Sequence, residues 1–232
     1  MLFRYLDQKT KTFLLRTVAA QLHLLGCLAA LAGLVVLLNH VQQKADFDNF
    51  LACAIFGLTS ILVFGASTIY HFMSDGLVIS KKLEKRLDDL DHFAIYLFIA
   101  GTYTPFILYA ISPPWNRALL GLVWLVALGG IVYTHFRPKL PAWARHRFVN
   151  TAIFVLMGWL LVVRIGEALT HLSPQQTILL FAGAASYTLG AVVYALKRPN
   201  PIPEIFGFHE IWHLMVLLGF GVHYFMILDF YL

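Results

Sequence analysis

Seven apolar runs of membrane-spanning length dominate the chain. A helix needs about 17–25 mostly apolar residues to cross the hydrocarbon core of a bilayer. Such runs cover approximately 17–38, 50–72, 92–111, 117–135, 148–166, 176–196 and 209–230 of the 232 residues. The breaks between them are polar, charged or proline-bearing, as in Ser112-Pro113-Pro114 and in the stretch holding Pro199, Pro201 and Pro203. Lipid offers no partner for backbone N–H and C=O groups, so each run is expected to be a continuous helix. Composition agrees. Only 12% of residues are charged and mean hydropathy is +0.74, against about 25% charge in an average soluble domain.

The expected architecture is therefore an all-α integral membrane protein, a seven-transmembrane helix bundle forming a single domain over 1–232. No repeat, low-complexity stretch or soluble linker interrupts it. The basic N-terminal segment leads into an apolar run with no A-x-A cleavage pattern, which reads as an uncleaved first helix. Cys27 and Cys53 both lie in apolar runs, as two buried thiols or a pair, and no CxxC spacing points to redox or metal chemistry.

Lysine and arginine set an orientation. The N-terminal tail carries Arg4, Lys9, Lys11 and Arg16. The second connection carries Lys81, Lys82, Lys85 and Arg86, the fourth Arg137, Lys139, Arg145 and Arg147, and the sixth Lys197 and Arg198. The other connections carry Lys44, Arg117 and Arg164. This alternation predicts a cytoplasmic N-terminus and a C-terminus outside. It also accounts for the net charge of +5 without nucleic-acid binding.

Ionisable groups inside spans are costly and tend to mark function. Here they gather where span 2 ends (Ser67 to His71), where span 3 begins (Asp91-His92) and where span 7 begins (His209-Glu210-Ile211-Trp212-His213). The alternating topology brings all three to the cytoplasmic level. His209 and His213 are i, i+4 and share one helix face, a spacing that presents two nitrogens to Zn²⁺. Adding His71 gives three ligands and leaves a fourth position open for water, the pattern of a catalytic zinc. Asp91 is then placed to hold or deprotonate that water, and Ser67, i, i+4 from His71, to support it.

Plainer readings stand beside these. The histidine pair could be fortuitous among ten histidines, Asp91 could cap span 3, and Ser67 could bond back to its own helix. His209-Glu210-x-x-His213 also fits the H-E-x-x-H pattern of zinc proteases, with Glu210 as base. No suitable third ligand follows it, since His223 is deep and Asp229 lies near the far face. His23, His92, His135 and His223 are assigned no role. Gly101 permits close helix approach, and Pro105 is expected to kink span 3.

At these residues the chain resembles the hemolysin III family, within a wider group that includes the progestin and adipoQ receptors and, more distantly, the alkaline ceramidases. The segments are Ala66 to His71, Arg86 to Phe106, and Tyr194 to His213, in the family's order and covering roughly 50–230. The resemblance implies a Zn²⁺ ion near the cytoplasmic face held by His71, His209 and His213, with Ser67 and Asp91 at the family's other two marked polar positions. It also implies a bacterial cytoplasmic (inner) membrane location. One departure is the segment leading into span 1, which lacks the acidic character common in the family and leaves any role for it, His23 included, in doubt.

The expected function is a zinc-dependent hydrolase of lipid amides or esters, with membrane lipid as substrate or ligand and Asp91 and Ser67 as catalytic groups. The alternatives are a non-enzymatic regulator or sensor of membrane lipid state with structural zinc, and a cytolysin or pore. No span carries the polar stripe a water-filled pore usually needs.

Overall fold

A computed structural model describes residues 13, 15, 17–44 and 46–232, without the side chain of Arg147. The charges at Arg4, Lys9, Lys11 and Arg16 lie outside these. Among the described residues, seven helical segments are long and apolar enough to cross a membrane, and the protein is an integral membrane protein.

The helices are α1 (Val18–Lys44), α2 (Phe47–Gly76), α3 (Lys81–Ala110) and α4 (Trp115–Phe136), followed by the paired halves α5 (Arg147–Gly158) and α6 (Ile165–His171), then α7 (Pro174–Leu196) and α8 (Phe208–Asp229). Local chemistry starts them. Asp46 accepts the Asn49 N–H at 3.0 Å at the head of α2, and Ser80 caps α3. Ser173 and Gln176 form a capping box before α7 with Pro174 in its first turn.

The interior is apolar, as in a water-soluble globule, but so is the outer surface. The innermost side chains, such as Tyr96, Phe56, Phe64 and Ile107, line the helix interfaces. Leu25, Leu125, Leu128 and Leu156 face outward, each more than half exposed, as a lipid-facing surface requires. Span α3 is the most enclosed and packs against both α2 and α4. A Cβ on Gly101 would lie 2.0 Å from Thr59 Oγ1, so only glycine lets α2 and α3 approach so closely. Pro105 sits inside an unbroken α3.

Two features differ from expectation. Residues 81–89, a charged connection by composition, form the first turns of α3. Lys85 pairs with Asp89 at 2.8 Å along the helix, and the other charges up to Arg86 are exposed, so they tolerate a helix that outruns the apolar run. The fifth span is not continuous: α5 ends at Gly158, a 3₁₀ segment covers Leu160–Arg164, and α6 follows. The Tyr103 hydroxyl donates to the Gly158 carbonyl at 2.7 Å and accepts the Leu161 N–H at 3.1 Å. One side chain from α3 thus satisfies the backbone groups the break exposes, which is what such a break inside a bilayer demands.

Candidate metal centre

The start of α1, the end of α2, the first half of α3 and the start of α8 meet at one end of the bundle. There the structure brings His71, His209 and His213 together, with a ligating atom of each within 4.8 Å of the others. His209 Nε2 lies 3.3 Å from His71 Nε2 and 2.9 Å from His213 Nε2. His71 and His213 are buried and His209 is half-buried. Glu210 fixes the start of α8, its Oε2 accepting the Gly207 N–H at 2.8 Å. The pair one turn apart therefore faces α2.

Two residues that sequence reasoning missed orient the rings. His71 Nδ1 donates to Asp75 Oδ2 at 2.9 Å, which leaves the His71 Nε2 lone pair pointing at the cluster. His213 Nδ1 lies 2.8 Å from Nε2 of His23, the α1 residue given no role from sequence. If His213 is to offer Nε2 to a cation, its Nδ1 carries the proton and His23 accepts it. The signals existed: Asp75 is i+4 from His71, and His23 sits in the first turns of span 1, at the level of His209 and His213. Three imidazole nitrogens facing one another need a cation or shared protons between them, so the donor set can hold a metal ion.

Ser67 and Asp91 stand beside the cluster. Asp91 is the eleventh residue of α3, past the Ser80 cap, so it does not cap the helix. It is buried, within electrostatic reach of His71 and hydrogen-bonding reach of Ser67. Ser60 and Thr68 bond back to the carbonyls of their own helix. Ser67 does not: the residue is 1% exposed, and Asp91 is the group its hydroxyl reaches. Among the other histidines, His92 bonds the Asp88 carbonyl at 2.8 Å, His135 packs on Phe136, and His223 lies ten residues beyond His213, away from the cluster. Cys27 and Cys53 are free thiols.

Two cavities meet at this point. One, of about 460 Å³, is polar and lined by Asp75, Asp88, Asp91, Arg137, Glu204 and Glu210 together with the three histidines. The other, of about 180 Å³, is almost wholly apolar and runs among α3, α5, α6, α7 and α8, from Ser67, Asp91 and His213 to His223 and Met226. Asp91 and His213 line both, so the cluster divides a polar basin from an apolar channel.

Fold and cluster together define a heptahelical membrane protein with an internal three-histidine site. A family model described as Haemolysin-III related matches residues 14–224. The chain is 32% identical over 208 residues to Hemolysin-3 of Bacillus cereus, covering 89% of this chain and 87% of that protein. It is 34% identical over 206 residues to a Hemolysin-3 homolog of Bacillus subtilis (strain 168), covering 89% of each. A more distant relative is the human monocyte to macrophage differentiation factor, 28% identical over 176 residues, which cover 75% of this chain and 67% of that protein. The chain belongs to the Haemolysin-III related family.

Proposed function

We propose that the protein is a zinc-dependent hydrolase of lipid amides or esters, with its site at the cytoplasmic end of the bundle in a bacterial inner membrane. The observation that carries this reading is the placement of three imidazoles, a buried carboxylate and the hydroxyl beside it where a polar basin meets an apolar channel. Nitrogens bound to one tetrahedral zinc at ~2.0–2.1 Å lie ~3.3 Å apart, close to the spacing of His71 and His209. His71, His209 and His213 would hold the ion, leaving a fourth position open.

Zinc in that position supplies Lewis-acid polarisation of a carbonyl and acidifies water. The chain's own residues supply the rest. The basin admits water, and the channel takes the acyl chain of a substrate that never leaves lipid. Asp91 accepts the proton of the attacking water and passes it to the leaving amine or alkoxide. Ser67 Oγ donates a hydrogen bond to the oxygen on which negative charge develops. Glu210 is engaged at the head of α8, which favours Asp91 over it as base.

The test is metal content by elemental analysis together with turnover of lipid amides and esters. Wild type is expected to hold about one zinc per chain, and His209→Ala/His213→Ala to lose it. Asp91→Asn is expected to keep zinc and lose turnover; turnover that survives it removes Asp91 as base. Wild type free of metal after chelator-free handling sinks the hydrolase mechanism.

A second reading, a non-enzymatic regulator with structural zinc, is favoured by one observation. The linked histidines come from three helices, α1, α2 and α8, so a metal there would also clamp the bundle. Zinc-loaded protein that hydrolyses no lipid but unfolds more easily on chelation would select it. The relatives' name, Hemolysin-3, raises a cytolysin. Dye leakage from liposomes, equal in wild type and the zinc-free variant, would show lysis independent of the site.

A further inference from the structure

The apolar channel holds a second polar station far from the histidine cluster. His223 on α8 and Tyr187 on α7 both line the channel, with ring centroids 5.5 Å apart. The two rings are built in by reciprocal glycines. A Cβ on Gly183 of α7 would lie 2.2 Å from the His223 ring, and one on Gly219 of α8 would lie 2.7 Å from the Tyr187 ring. Each ring therefore sits over the glycine of the facing helix, one turn before the other ring's own position.

Their hydrogen-bonding capacity is left over. His223 Nε2 lies 3.2 Å from the Leu180 carbonyl. A carbonyl only accepts, so Nε2 carries the proton and Nδ1 presents a lone pair. That Nδ1 is buried without a partner, and so is the Tyr187 hydroxyl. His223 as a whole is 8% exposed. Two unsatisfied polar groups in an apolar, buried wall are costly. An acceptor beside a hydroxyl is complementary to a ligand group that both donates and accepts: an alcohol donates to His223 Nδ1 and accepts from Tyr187. A ketone or ester carbonyl cannot satisfy the histidine.

The spacing limits where that alcohol sits. His213 and His223 are ten residues apart on one helix, ~15 Å. The channel's volume of about 180 Å³ is spread over the ~20 Å between His213 and Met226. An almost wholly apolar lining along that length suits a hydrocarbon chain.

We propose that Tyr187 and His223 form a recognition site for a hydroxyl carried on the acyl chain of the lipid, ~15 Å from its head group at the histidine cluster. The proposal rests on the reading of the channel as the acyl-chain site and adds the substrate class: chain-hydroxylated lipids over plain ones.

The test is equilibrium binding to the purified full-length protein in detergent, with octadecanoic, 12-hydroxyoctadecanoic and 2-hydroxyoctadecanoic acids as probes. Binding does not require turnover. The 12-hydroxy acid is expected to bind about tenfold more tightly than the other two, as one well-made pair of buried hydrogen bonds allows. Tyr187→Phe and His223→Leu should each erase most of that preference while leaving the affinity for octadecanoic acid within about twofold. Unsubstituted-acid binding thus reports that a variant is folded. Equal binding of all three acids to wild type, or a preference that survives both substitutions, overturns the proposal and leaves the hydrolase reading intact. Failure of wild type to bind any of the acids overturns both the channel reading and this proposal.

Discussion

His23 shows how one side chain acquires meaning from a partner that the sequence does not reveal. Alone in an apolar run it reads as a packing residue, and its contact with His213 spans 190 positions. His71, His209 and His213 were legible because the i, i+4 pair and the alternating topology each point to one face and one level. Asp75 was legible in principle, one turn from His71, but sits where the apolar run grades into charge. Partners that orient a metal-binding imidazole typically carry 10–100-fold in affinity. In chelator competition, His23→Phe and Asp75→Asn should each weaken zinc by that order while a full equivalent still binds at excess metal. Unchanged affinity in His23→Phe would remove His23 from the site.

The fifth span carries the largest departure from expectation among the elements. Its apolar run from 148 to 166 contains no proline, and only its glycines, Gly158 and Gly166, hint at a weak point. The break is tolerated because Tyr103, 55 residues earlier in the chain, reaches across to both freed backbone groups. Tyr103→Phe keeps the ring but strands a buried carbonyl and N–H. It should cost ~1–3 kcal/mol, read as a lowered unfolding temperature in detergent; no shift would mean that the 3₁₀ segment finds other partners. The early start of α3 has a simpler origin. Ser80 caps it and the Lys85–Asp89 pair lies along its charged turns outside the apolar run, so composition alone marked a loop where the backbone stays helical.

At the scale of the molecule, a metal bound by residues from distant helices is coupled to folding. A ligand that binds only the folded state stabilises it by ~4 kcal/mol at a thousandfold excess over its Kd. A strong chelator should therefore lower the thermal midpoint of wild type and leave that of His209→Ala/His213→Ala unchanged; equal responses would detach the metal from the bundle's integrity. The positive-inside bias gives a separate expectation. A cysteine placed at Ser80 should be labelled by a membrane-impermeant reagent only after the cytoplasmic face is opened, and one at Ser173 without opening. The reverse pattern would invert the orientation.

Membrane insertion, the number of spans and the candidate histidine triad follow from sequence because hydropathy, lysine and arginine placement and helical spacing are local or one-dimensional properties. The rest is a matter of which helix faces meet. The His23–His213 contact, the meeting of polar basin and apolar channel at Asp91, the repair of the broken span by Tyr103 and the Tyr187–His223 station each join residues tens to nearly two hundred positions apart. Apolar periodicity cannot select among such pairings in lipid, where every helix face is similarly hydrophobic and packing shape, through glycines such as Gly101 and Gly183, makes the choice.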